Sequence, residues 1–171
     1  TSAEQPQTEC PSQLAHAAQR SWEHALMFDK TEDLMAFAKG ILAKQTFSTR
    51  LGTELVAFSA GHTELALQIS EDLLQQHGFV HGGVVAYLAD NALTFAGGSV
   101  VGDSVTVEFK INYLRPATGP GRLLAVADVI GHGRSIAVAR CEIFLVRTDR
   151  EPELCAMAQG TLKRASRSDA S

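Results

Sequence analysis

Apolar and polar positions follow two different periods along this chain, and the change of period marks its organisation. Between His81 and Ala96, the residues Val84, Leu88, Ala92 and Phe95 recur at helical spacing. That spacing predicts a helix with one face buried against something large. On either side the period is two. Glu54–Ser59 and Thr63–Ser70 read as strands flanking an Ala60-Gly61-His62 turn. Ser104–Arg115 reads as a half-buried strand, with Val105, Val107, Phe109, Ile111 and Tyr113 facing one way. Ser104, Thr106, Glu108, Lys110 and Asn112 face the other way. Pro116 and the Gly119-Pro120-Gly121 turn end this strand. Two long strands follow, Arg122–Ile130 and Ser135–Arg147, joined at Gly131-His132-Gly133-Arg134, and a last strand runs Glu153–Arg164.

Before the strands, two helices are expected. Pro11 to about Met27 carries a modest stripe of Leu14, Ala17, Ala18 and Trp22. Thr31 reads as the cap of a second helix through about Lys44, with Leu34, Phe37, Ala38, Ile41 and Leu42 on one face. The second is expected to pack on the main domain; for the first, packing and assembly stay equally open. Glu71–His77 is a short polar helix or a loop, and the helix at 81–96 is expected to end near Gly97-Gly98. The order is two strands, one apolar helix, then four strands in a meander. Hairpin-length connections imply an antiparallel sheet, and one helix against one twisted sheet gives an α+β fold. The expected division is a helical extension over residues 1–44, a main domain over 45–165 and a polar tail over 166–171.

Composition narrows the setting. The chain has 171 residues, 45% of them hydrophobic and 20% charged, which suits one globular domain. A net charge of −4 without a basic cluster argues against a nucleic-acid partner. No apolar run reaches the ~20 residues of a membrane span. Cys10, Cys141 and Cys155 match neither a disulfide framework nor a metal motif, so a cytoplasmic location is expected. No cofactor is called for.

The candidate chemistry sits in the central helix. A carboxylate among Leu88, Ala89, Ala92 and Leu93 is costly unless it is paired or has a task, which singles out Asp90. Thr94 lies one turn further on the same face. Gly82-Gly83 leaves the first helical turn without side chains, so its amide N–H groups are open to an oxygen gaining negative charge.

His81-Gly82-Gly83 followed by Leu88-Ala89-Asp90-Asn91-Ala92, in this order of elements, resembles the hotdog-fold acyl-CoA thioesterases, most nearly the phenylacetate-degradation-type branch. Val107-Glu108-Phe109-Lys110-Ile111-Asn112-Tyr113-Leu114-Arg115-Pro116 is similar to that family's strand after the helix. The resemblance covers about Lys44 to Lys163. It implies a sheet of about six strands wrapped around the helix and hydrolysis of an aryl or medium-chain acyl-CoA. It also implies roles for particular residues: the N–H of Gly82 on the thioester carbonyl, Asp90 as nucleophile or general base, and Gln75 where the family often has Asn. Thr94 takes the position of a hydroxyl found in part of the family. His81, Gly83, Asn91, Phe79 and Tyr87 are carried as binding residues. Arg134 and Ser135 lie where related proteins contact the coenzyme, with Lys110 and Arg115 as alternatives.

Gly82 and Asp90 are eight residues apart, ~12 Å along a helix, so both cannot touch one carbonyl. A site shared between two antiparallel helices of a two-fold dimer is therefore expected. The resemblance implies dimers and often tetramers, with acyl-CoA as the other partner. The competing reading is a non-catalytic acyl-CoA sensor carrying N-terminal helices, against which stand Asp90 and the absence of a basic recognition helix. A hotdog dehydratase needs a His–acid motif that this sequence lacks.

Overall fold

The computed structural model describes residues 31–166, so the helix expected at 11–27 lies outside the described residues. The elements are α1 (Thr31–Lys44), α2 (Thr46–Leu51), β1 (Glu54–Ser59), β2 (His62–Gln68), a 3-10 turn (Glu71–Leu73), α3 (Gly82–Val101), β3 (Ser104–Tyr113), β4 (Arg122–His132), β5 (Ile136–Val146) and β6 (Glu153–Arg164). The six strands form one antiparallel sheet in the order β1-β2-β4-β5-β6-β3. The sheet wraps around α3, whose Leu88, Ala89, Ala92, Leu93 and Ala96 are wholly buried. This is the hotdog arrangement. Ala38 and Leu42 of α1 are buried in the same core, which holds that helix against β1.

The last four strands do not run as a meander. β3 pairs with β6, while β4 crosses the sheet to pair with β2 and β5. Pro116 and Pro120 remove two donors from the connection after β3, so it leaves the sheet instead of turning back as a hairpin. The 116–120 segment becomes a strap: Ala117 accepts from the Val80 N–H at 2.9 Å, and Thr118 forms a bridge with Phe79.

The alternation expected in β3 also breaks. The register against β6 shifts between Thr106 and Glu108, a bulge at Val107. Ser104 and Thr106 before it, and Phe109 and Ile111 after it, thereby share the inner face. Val105 and Val107 are left 44% and 58% exposed, although the period-two reading put them on the face with Phe109.

Nor does α3 stop at Gly97-Gly98; it runs to Val101 and spans 20 residues. Both glycines are buried, and at Gly97 β6 approaches the helix too closely for a side chain. A Cβ on Gly97 would lie 2.7 Å from Cγ of Leu162. Across β3 and β6, a Cβ on Gly160 would lie 2.8 Å from Cβ of Phe109 and 2.9 Å from the Glu108 carbonyl oxygen. The second contact involves backbone and cannot relax by a rotamer change. Gly160→Ala should therefore lower the unfolding free energy by about 1–3 kcal/mol, read from urea titration with an unchanged m-value.

On the outer face of the sheet, His62 Nδ1 lies 2.8 Å from Oδ1 of Asp128, and its Nε2 lies 3.4 Å from Glu64. The hydrogen bond with Asp128 raises the His62 pKa, against an opposing effect of partial burial. The stabilisation is thus fully present below the unfolded-state pKa of ~6.5 and is lost as pH rises through the higher folded value. His62→Gln should destabilise the protein more at pH ~5.5 than at pH ~8.5, and equal losses at both would contradict the pairing.

Candidate active site

The start of α3 is built around a histidine cap. His81 precedes the helix with its Nδ1 accepting the Gly83 N–H at 2.9 Å, and its carbonyl accepts from Val84 and Val85. A Cβ on Gly83 would sit 3.0 Å from that nitrogen, so glycine leaves the ring its room. With the Gly83 donor taken, the Gly82 N–H at the first helical position meets no partner among the described residues. It is a free donor at the positive end of a 20-residue helix.

Beside it opens a cleft of about 470 Å³, walled by Phe79, Val80, Val85, Leu114 and Ala117 with Gln75, Gly82, Gly83 and Arg115 among its lining. The segment before α3 reaches this position through a tight turn, with Gly78 at φ +74° donating to Gln75 and Gln75 donating to the Phe79 carbonyl. The side-chain amide of the half-buried Gln75 has no partner among the described residues. Tyr113 closes the cleft from β3, its hydroxyl donating to the Gly82 carbonyl at 2.9 Å. Cys155 is buried in the wall, and desolvation pushes its thiol pKa up; that of Cys141, deep in the sheet, is pushed up to about 12 by burial. Neither is poised as a thiolate nucleophile.

Asp90 lies two turns along α3, half-buried and facing β3. The Thr106 hydroxyl donates to its Oδ1 at 2.6 Å. Thr94 Oγ1 lies 2.9 Å from the Asp90 carbonyl, to which it donates, and 3.0 Å from Thr106 Oγ1. One carboxylate oxygen is therefore held, and the other meets no partner among the described residues. Thr94 bonds the backbone of its own helix and also touches the hydroxyl that holds Asp90.

The expected site residues thus fall into four places. Gln75, Phe79, Gly82 and Gly83 share the cleft, with His81 capping the helix beside it. Asp90 and Thr94 stand apart along the helix, as the spacing requires. Tyr87 and Asn91 turn towards α2 instead of the cleft. The Asn91 amide donates to Ser48 at 3.2 Å and to the Tyr87 hydroxyl at 3.3 Å, and Tyr87 also bonds Thr53 at 2.9 Å and stacks edge-on against Phe47. Their polar groups are occupied in fastening α2 to α3. Arg134 and Ser135 lie in the exposed β4–β5 hairpin, at the end of the sheet remote from Gly82.

Two residues of the site were not singled out from the sequence. Tyr113 was read as a buried strand residue and Thr106 as an outward one. The bulge at Val107 turns Thr106 towards α3, while Tyr113 keeps the face expected for it and reaches the Gly82 carbonyl.

The chain belongs to the thioesterase superfamily, whose family model matches residues 77–150. It is similar to a putative esterase of Deinococcus radiodurans, 33% identical over 119 residues covering 70% of this chain and 79% of that protein. Acyl-coenzyme A thioesterase PaaI of Escherichia coli is 29% identical over 93 residues, 54% of this chain and 66% of its own. A thioesterase family protein of Silicibacter pomeroyi, known as a crystal structure, superposes with a TM-score of 0.70 at 30% identity, over 83% of this chain and 96% of its own.

His81→Ala would leave the Gly83 N–H without its acceptor and should cost about 1 kcal/mol of stability, measured by urea unfolding. No loss would mean that the cap contributes nothing to the helix start.

Proposed function

We propose that this protein hydrolyses the thioester of an acyl-coenzyme A, aryl or medium-chain, at sites completed by a second copy of the chain. The observation that carries the reading is the open edge of β3. Gly82 is held there by Tyr113 at one end and Asp90 by Thr106 at the other, with no strand beyond. Val105, Val107, Tyr113 and Leu114 are exposed along it. An unpaired apolar edge is an aggregation hazard unless another strand covers it. Antiparallel pairing of two such edges about a two-fold axis turns the Asp90 end of one copy towards the Gly82 end of the other. Two equivalent sites result, and the helix separation of ~12 Å ceases to be an obstacle.

In this reading the thioester carbonyl accepts from the Gly82 N–H, which stabilises the oxyanion as the carbonyl carbon becomes tetrahedral. The amide of Gln75 lies in the same cleft, within the region where a carbonyl or a water is to be oriented. The free oxygen of Asp90 from the partner subunit either attacks the carbonyl carbon or takes a proton from the water that does. Collapse of the tetrahedral species breaks the C–S bond, and the thiolate of coenzyme A takes up a proton. After direct attack the acyl group is left on Asp90 as an anhydride, which water then hydrolyses; on either route acid and thiol are the products. Thr106 positions the carboxylate, with Thr94 behind it. The apolar cleft receives the uncharged part of the substrate, and Arg134 with Ser135 approaches the coenzyme from the partner's hairpin.

Asp90→Asn should remove steady release of free thiol from acyl-CoA while leaving the fold intact. Gly82→Pro removes the one N–H in question, and proline is well tolerated at the first helical position; it should lower kcat by about 10²–10³-fold. Asp90→Ala and Gly82→Pro subunits are each nearly inactive alone, but a 1:1 mixture of them should regain about a quarter of wild-type activity through mixed dimers. No recovery in subunits shown to exchange would rule out sharing. Thr106→Val should lower kcat about tenfold with KM little changed, and Thr106→Ser should restore it.

A further inference from the structure

A second cleft, of about 670 Å³, lies at the same end of the sheet on the other side of the 116–120 strap. Its walls are the Gly121–Arg122 start of β4 and the turn that follows β5. Gly121 is fixed there, its carbonyl accepting from the Ile69 N–H at 3.0 Å and from Gln68 Nε2 at 2.9 Å. Three guanidinium groups line the cleft, Arg122, Arg147 and Arg150, against the single carboxylate of Asp149. The lining residues carry a formal +2, or +1 with the Glu153 that pairs with Arg147, on a chain whose net charge is −4.

The three arginines differ in freedom. Arg122 is exposed and meets no carboxylate among the described residues. Arg150 touches Asp149 at 3.2 Å, but both side chains are well exposed, so that pair is weak and can exchange partners. Arg147 is mostly buried and held in place: its Nη2 donates to the Thr118 carbonyl at 2.6 Å, and its Nη1 lies 3.5 Å from Glu153. A guanidinium carries five donors, so Arg147 keeps others for a ligand. One anchored and two adaptable arginines around a roomy cleft suit an anion with several oxygens. A metal cation would be repelled by the same groups.

We propose that this cleft binds a phosphate-bearing small molecule. Its small cationic surplus and limited size fit a phosphate monoester or diphosphate, not the extended backbone of a nucleic acid. The strap of residues 116–120 borders both clefts: Pro116 and Ala117 line the one beside Gly82, Pro120 lines this one, and the Thr118 carbonyl accepts from Arg147. The phosphates are therefore either the nucleotide end of a coenzyme A thioester lying over the strap or those of a separate phosphorylated ligand.

Binding of pyrophosphate to the full chain, followed by titration calorimetry, needs no catalytic turnover and so stands apart from the thioesterase reading. One pyrophosphate per chain is expected, weakening with added salt. Arg122→Gln with Arg150→Gln should reduce its affinity at least about tenfold. Pyrophosphate that binds this double variant as tightly as the wild type, or that does not bind the wild type, overturns the proposal. Steady-state kinetics then separate the sources. If the cleft takes the substrate's own nucleotide, the double variant raises KM for a CoA thioester and not for the matching pantetheine thioester. If it takes a separate ligand, neither KM changes while pyrophosphate binding is lost.

Discussion

The bulge at Val107 is the constraint on which the rest of the site depends. A regular strand would place Thr106 outside together with Lys110 and Asn112, because side chains alternate strictly. One extra residue in β3 reverses the face midway. Ser104 and Thr106 then meet the polar side of α3, while Phe109 and Ile111 still cover its apolar side. A half-buried carboxylate in an apolar helix is unfavourable without such a donor, and the hydroxyl of Thr106 supplies it at 2.6 Å.

The same edge strand organises the other half of the site. Beyond the bulge, Tyr113 reaches the first turn of α3 and ties β3 to the Gly82 carbonyl. The chain then leaves the sheet through the 116–120 strap, which pairs with Phe79 and Val80 and so sets the approach to His81. Helix start, cleft wall and edge strand are consequently one mechanical unit. The glycines at 97 and 160 let β6 and β3 close around α3 without intervening side chains, which brings this edge near enough for hydroxyl groups to reach the helix.

Much of the architecture was legible beforehand. The 3.6-residue period of 81–96 against the two-residue period elsewhere separates helix from strands, since burial on one face leaves that trace in any amphipathic element. Gly82-Gly83 and Asp90 stood out for local reasons: bare amides at a helix start, and a carboxylate among alanines and leucines. Tyr87 and Asn91 show the opposite. In sequence they flank the acid closely, yet their side chains bond Ser48 and Thr53, more than 30 residues away. Nothing local encodes which neighbour a polar group on a helix will find.

Strand order belongs to the same class. Pro116 and Pro120 signal that the chain leaves β3, but its destination depends on which edge still offers unpaired backbone, a property of the assembled sheet. By itself the sequence determined the elements, the α+β class, and the amides and acid proposed to carry the chemistry, because each follows from contacts within a few residues. Tertiary structure alone decided the crossover of β4, the inward turn of Thr106, the bond of Tyr113 to Gly82, and the meeting of three arginines beside the strap. Those depend on pairing between segments far apart along the chain, where a shift of one residue exchanges the faces of a strand.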